Sequence, residues 1–219
     1  RIKINVVALK NTNNDEIHDF VAWCGDMGFD LTFIEVMPMG ELNGQNRLDQ
    51  YWSMNDLRKE LAAKHGVSIN NIVVGEGIDG LLGYLVRLFV EPGEQVVTSL
   101  GAYPTFNYHV VGFGGKLSLV PYKDFHEDLY GLIKEAKKVK AKILYISNPD
   151  NPMGTFHRKR DVQKFIDEVP DDTLLCLDEA YSDFVEQDEL PELDTSRSNV
   201  IRFRTFSKAY GLAGLRVGY

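Results

Sequence analysis

Leu174-Leu175-Cys176-Leu177-Asp178-Glu179-Ala180-Tyr181 is the stretch that decides the fold. Four apolar residues without polar alternation describe a strand buried on both faces, the habit of parallel sheets covered by helices. The run then ends on an acid. A carboxylate at the C-terminal end of such a strand stands where open α/β sheets bind ligands, and a lone charge there is costly. Asp178 therefore calls for a cationic ligand, an ion pair or a helix cap.

Strand patterns recur on either side of this run, over 2–9, 31–36, 72–74, 95–99, 116–121, 142–147, 173–178 and 200–205. Helical patterns alternate with them, which predicts an α/β fold, mainly a parallel sheet with crossover helices. The first helix, after a possible Asn14 cap, places Ile17, Phe20, Val21, Cys24 and Met27 on one face. Ser53-Met54-Asn55-Asp56 resembles a capping box and opens a second helix carrying Leu57 and Leu61. A third begins near Ile78 and stops at Glu91-Pro92-Gly93. The Gly/Asn-rich stretch 37–46 separates a short βαβ piece from the long α/β run, so a boundary is expected between Gly40 and His65.

Composition narrows the classes of function. With 219 residues, 44% apolar and a formal charge of -8, the chain has the make-up of a globular protein. The acidic balance and the lack of a Lys/Arg-dense run argue against nucleic acid. No apolar run approaches the ~20 residues that span a bilayer, which points to a cytoplasmic protein with no membrane partner. Cys24 and Cys176 lack metal-ligand spacing and read as buried thiols, and the five histidines are scattered, so no metal site is expected.

Three further motifs follow strands. Thr205-Phe206-Ser207-Lys208 sets an amine between hydroxyls, with Arg216 eight residues on, an arrangement suited to a Schiff-base lysine beside an anion site. Ser147-Asn148-Pro149-Asp150-Asn151-Pro152-Met153-Gly154 contains two X-Pro steps, which make an extended turn able to aim the Asn151 amide at a ligand. Gly75-Glu76-Gly77-Ile78-Asp79-Gly80 opens a helix whose free N–H groups can hold a phosphate. The last also matches GxGxxG, but a dinucleotide site needs an acid after the next strand, and Val96-Val97-Thr98-Ser99-Leu100 has none.

Together, these motifs resemble the large domain of fold-type I, pyridoxal 5'-phosphate-dependent aminotransferases, most closely the class I/II group that includes histidinol-phosphate aminotransferase, over residues 61–219. The resemblance implies a cofactor held by Lys208 as a Schiff base, the same lysine moving a proton between Cα and C4′. It implies that Asp178 holds the pyridine nitrogen and that Asn151 and Tyr181 bond the phenolic oxygen. Gly77, Ile78, Asp79, Ser207 and Arg216 would bind the phosphate, and Tyr103 would stack on the ring. Catalytic roles fall to Lys208, Asp178 and Tyr103. Substrates would be an amino acid and a 2-oxo acid, in a homodimer. Family members often read GNGSDE and NPNNPTG where this chain departs at 76, 78, 80, 150 and 153.

The first sixty residues resemble something else. Arg1-Ile2-Lys3-Ile4-Asn5-Val6-Val7, Leu31-Thr32-Phe33-Ile34-Glu35-Val36-Met37-Pro38 and Asn46-Arg47-Leu48-Asp49-Gln50-Tyr51-Trp52 are similar to the radical S-adenosylmethionine GTP cyclase of molybdenum-cofactor synthesis (MoaA). That likeness implies a βαβ piece of a partial TIM-type barrel, with Lys3 matching a GTP contact and Met37 an S-adenosylmethionine contact. It lacks the family's cluster-ligating cysteines, without which radical chemistry does not proceed. The expectation is a chimeric fragment, cut at both ends, with a joint near residues 56–62 and without the aminotransferase small domain. The requirement placed on the fold is a buried amine at 208 facing a buried carboxylate at 178.

Overall fold

A computed structural model describes residues 3–9, 12–13, 15–35, 41–42, 45–46, 53–211, 213 and 216–219. The chain divides into two compact units, Arg1–Val74 with Phe206–Val217, and Gly75–Thr205 with Gly218–Tyr219.

The first unit opens with β1 (Lys3–Ala8), α1 (Ile17–Met27) and β2 (Asp30–Glu35), and β1 and β2 pair in parallel as a two-stranded sheet of their own. A small antiparallel pair follows, β3 (Glu41–Leu42) and β4 (Gln45–Asn46). Of the apolar face expected for α1, Cys24 is buried but Met27 is 55% exposed, so the buried stripe is narrower than the sequence suggests. Asn14 and Met37 lie outside the described residues; Glu16 occupies the N-cap position of α1 without a side-chain bond.

In α2 (Met54–His65) the capping box is present: Ser53 Oγ accepts from the Asp56 N–H at 3.1 Å and donates to Asp56 Oδ2 at 2.8 Å. Ser53→Ala is expected to lower stability by about 1 kcal/mol, read as a drop in the thermal midpoint; an unchanged midpoint would show that the cap contributes nothing. Residues 72–74 are not a strand. Arg58 of α2 donates to the Ile69 and Ile72 carbonyls at 3.0 and 2.9 Å, which ties this segment to the helix, and pairing is delayed to β5 (Gly75–Glu76).

In the second unit α3 (Gly77–Phe89), β6 (Gln95–Leu100), α4 (Thr105–Gly112), β7 (Lys116–Pro121), α5 (Leu129–Val139), β8 (Ile143–Ser147), α6 (Lys159–Glu168), β9 (Leu174–Asp178) and β10 (Val200–Phe203) follow in turn. Five strands form one wholly parallel sheet in the order β10-β9-β8-β6-β7. Alternate residues of the buried strands feed two cores. Leu144 and Ile146 pack with Leu132 and Ile133 of α5 and with Val162 and Phe165 of α6, whereas Ile143 and Tyr145 pack with α3 and α4. Because both faces are covered, β8 is buried at every position, which is why these strands read as continuous apolar runs.

β10 ends at Phe203, short of the 205 expected, and Arg204 turns its backbone to Tyr219, each N–H donating to the other's carbonyl. Among the described residues no helix is long and apolar enough to cross a membrane, and no cluster of three or more acidic, histidine or cysteine side chains could hold a metal.

Candidate active site

The strand order reverses between β6 and β8: the chain runs from β6 outward to β7, then returns to place β8 on the other side of β6. The loops leaving the C-terminal ends of these two strands stand where open α/β sheets bind ligands. The loops carry Tyr103 and Asn151, and the Tyr103 N–H donates to the Asn151 carbonyl at 3.0 Å.

Asp178 closes β9 opposite Ser147 of β8. The residue is 9% exposed; Oδ2 accepts from the Tyr145 hydroxyl at 2.7 Å and Oδ1 from the Ala180 N–H at 3.0 Å. Tyr145 is in turn stacked on Phe106, with ring centroids 4.4 Å apart. Burial, reinforced by the Asp178 carboxylate, holds the Tyr145 phenol and the Cys176 thiol well above their ordinary ranges, so Tyr145 stays a donor and Cys176 an inert core thiol. Asn151 Nδ2 donates to the Tyr181 hydroxyl at 3.5 Å. Tyr103, Asn151, Asp178 and Tyr181 are thus brought to one end of the sheet, although, apart from the neighbours Asp178 and Tyr181, they lie 27 to 78 residues apart in the chain.

Gly77, Ile78 and Asp79 form the first turn of α3, where backbone N–H groups have no partner within the helix. Gly77 has φ 77°, a left-handed conformation that suits glycine. The Asp79 carboxylate is engaged by His109 Nε2 at 2.9 Å, so its own N–H is what it offers to an anion. Gly218 packs so closely that a Cβ there would stand 2.6 Å from the Ile78 nitrogen and 2.7 Å from the Gly77 carbonyl carbon. Sequence reasoning did not single out Gly218 or Tyr145; a glycine next to a strand was the only visible signal for the first, and nothing local marked the second.

Ser207, Lys208 and Arg216 belong to the first unit. Lys208 is exposed, not buried as the sequence reading requires, because β10 stops five residues earlier and the chain passes into bends. Its carbonyl accepts from the Gly211 N–H at 3.0 Å, and Phe206 and Tyr210 pack edge to face at 5.4 Å on either side of it in sequence. Arg216 has φ 54° and donates to the Ala213 carbonyl at 3.4 Å. Leu212, Gly214 and Leu215 of the same motif lie outside the described residues.

Glu179, next to Asp178, takes up the arginines: Arg202 Nη2 and Nε reach its two oxygens at 2.5 and 3.0 Å, and Arg204 Nε reaches Oε2 at 2.9 Å. The sequence did not separate the roles of these adjacent acids; strand alternation sends them to different surroundings.

Residues 29–219 match the family model Aminotransferase class I and II. The chain belongs to this family. Among curated relatives of this class I/II aminotransferase chain, the histidinol-phosphate aminotransferase of Anaeromyxobacter sp. (strain Fw109-5) is 42% identical over 168 residues, covering 74% of this chain and 46% of that protein. That of Desulfotalea psychrophila (strain LSv54 / DSM 12343) is 36% identical over 190 residues, 84% of this chain and 50% of the relative. The crystal structure of histidinol-phosphate aminotransferase from Sinorhizobium meliloti, in complex with pyridoxal-5'-phosphate, is similar with a TM-score of 0.76 and 43% identity, over 99% of this chain and 55% of that one. The aminotransferase chain therefore spans about half the length of the curated relatives it matches.

Proposed function

We propose that this chain is the cofactor-binding part of a pyridoxal 5'-phosphate-dependent aminotransferase. The whole protein moves an amino group between an amino acid, or an amino-acid-like phosphate such as histidinol phosphate, and a 2-oxo acid. The observation that carries the reading is the buried Asp178 carboxylate at the end of β9, oriented by Tyr145 and the Ala180 N–H, with the Asn151–Tyr181 pair beside it at the strand-order reversal.

These residues fit the cofactor's chemistry. Pyridoxal phosphate, when bound, supplies an electron sink for a substrate carbanion. Asp178 is assigned to hold a proton on the ring nitrogen, where a cation answers a carboxylate that burial would otherwise make costly. Asn151 and Tyr181 offer donors to the phenolic oxygen. The N–H groups of Gly77, Ile78 and Asp79, with Ser207 and Arg216, are assigned to the phosphate, for which a helix start is suited by its exposed donors and its dipole. Tyr103, 51% exposed on the loop after β6, is assigned to the ring face. Lys208 is assigned as the amine that joins the cofactor and carries a proton between Cα and C4′.

We place the whole protein in the cytoplasm as a homodimer. The apolar side chains that α3 and α4 leave outside, Tyr84 at 53%, Leu88 at 76%, Tyr108 at 71% and Val111 at 61% exposure, support a covered face. We assign residues 61–219 to the aminotransferase large domain. The cyclase-like reading of residues 1–60 gains no support from the family match, which begins at residue 29.

The test is chemical. Purified chain incubated with pyridoxal phosphate is expected to acquire the absorbance of a Schiff base, and borohydride reduction followed by peptide mass mapping is expected to find the adduct on Lys208. Lys208→Ala should lose both signals. Labelling of other lysines with Lys208 unmodified would overturn the assignment.

A further inference from the structure

Beneath the 148–154 turn lies a second polar cluster that the proposed chemistry does not use. Glu127, two residues before α5, is 2% exposed, and Asp150, within the turn, is 6% exposed. One hydroxyl stands between them: Ser147 Oγ lies 3.2 Å from Glu127 Oε1 and 3.0 Å from Asp150 Oδ1. A serine has a single O–H and can donate to only one of these acids at a time. Asp150 also accepts from the Tyr122 hydroxyl at 3.0 Å and the Met153 N–H at 3.2 Å. Glu127 accepts from the Ser147 N–H at 2.9 Å, and its Oε2 lies 2.5 Å from Ser99 Oγ, a partner able to receive a proton as well as give one.

Neither acid is ion-paired with a lysine or arginine among the described residues. The other titratable groups facing the cluster do not neutralise it. His157 Nε2 bonds the Glu127 carbonyl at 2.9 Å, and burial holds this imidazole below its ordinary pKa, with His126 5.4 Å away between ring centroids pushing the same way and the Glu127 carbonyl, Asp161 and Asp150 opposing. Tyr122 and Tyr145 are held protonated, by burial first and by neighbouring carboxylates second. Two buried acids around one hydroxyl, with no cation, are strongly disfavoured as two charges.

We propose that Glu127 is a positioning residue: protonated, it completes a hydrogen-bond chain through Ser147 to Asp150 that holds the 148–154 turn and thereby the Asn151 amide. The proposal rests on the assignment of Asn151 to the cofactor. Burial, helped by the Asp150 charge and opposed by the bonds from Ser99 and Ser147, pushes Glu127 up to about 7, so the proton is lost around neutrality. Loss of that proton puts a second charge beside Asp150 and weakens the grip on the turn. Since the pKa in the folded chain stands above its unfolded value, the stabilisation is complete below the ordinary carboxyl range and disappears as pH rises through about 7.

Two measurements on this chain test it. In the cofactor-free protein, infrared difference spectra between acid and alkaline pH are expected to show a carboxylic-acid band that titrates near neutrality and is missing from Glu127→Gln, which mimics the protonated acid. In absorbance titrations with pyridoxal phosphate, wild-type affinity should fall roughly tenfold relative to Glu127→Gln between pH 6 and 8.5, a tenfold change being about 1.4 kcal/mol. Parallel pH profiles for the two proteins, or a band that persists in Glu127→Gln, would overturn the proposal. Failure of the aminotransferase reading looks different, since neither protein then binds pyridoxal phosphate at any pH. Should Glu127→Gln not fold, Ser99→Ala serves: removing a donor that stabilises the charged form is expected to raise the infrared and binding midpoints together, and movement of the infrared midpoint alone would count against the link to the turn.

Discussion

Glu179→Ala is expected to destabilise the chain by about 3–5 kcal/mol, because it strands two arginine charges in the interior. Glu179 is 1% exposed, and the side chains of Arg202 and Arg204 are only 8% and 15% exposed. Arg202 also donates from Nη1 to the Pro191 and Glu192 carbonyls, so its head group clamps the loop before β10 as well as the acid after β9. Burial alone would lower the Arg204 pKa, but the Glu179 carboxylate outweighs it and leaves a net rise. Without Glu179 only the downward push of burial is left, but a guanidinium is so basic that it stays charged, and the cost is that of an unpaired buried cation. Chemical denaturation of the wild type and Glu179→Ala measures this; a midpoint shift worth less than about 1 kcal/mol, the level of an exposed ion pair, would show that water reaches the arginines. Glu179→Gln, which preserves shape and acceptors, is expected to fall between the two.

Asp178→Asn is expected to leave the fold intact and to slow amino-group transfer in the whole protein by a hundredfold to a thousandfold, the scale of losing one well-placed electrostatic partner. The amide keeps a carbonyl oxygen for Tyr145 or the Ala180 N–H and nearly the same volume, so the packing around β9 has little reason to change. What disappears is the negative charge assigned to the ring nitrogen. Single-turnover absorbance kinetics with an amino-acid donor separate this from weaker substrate binding: a fall in the limiting rate at saturating donor is the expected signature. A limiting rate within threefold of wild type would remove Asp178 from the chemistry. Tyr145→Phe is the companion variant, and a smaller loss is expected because it takes away one neutral donor and leaves the charge.

Several parts of the site were legible from neighbours along the chain. The apolar run 174–177 identified a doubly covered strand, and the acid after it identified the functional end, because both signals are local. Ser53 and Asp56 announced the start of α2 for the same reason: the cap is a contact between residues three apart. Sequence patterns were weaker where a remote partner decides the backbone. Residues 72–74 have the composition of a strand, yet Arg58 holds the Ile72 carbonyl. Likewise, Lys208 follows an apolar strand in sequence, but β10 ends at Phe203 once its partner β9 has ended at Asp178, and the lysine is exposed.

By itself the sequence determined the alternation of strands and helices, the parallel sheet, the acid at the end of β9 and the turn residues around it, since each follows from hydrophobic period or from the short reach of caps and prolines. Tertiary structure alone decided which of two adjacent acids meets the arginines, which tyrosine orients Asp178, and that Glu127 and Asp150 share one serine hydroxyl. These contacts join residues brought together by strand order and register, and their consequences depend on burial. A carboxylate's charge, and what it costs to keep, is a property of the surrounding medium and not of its place in the chain.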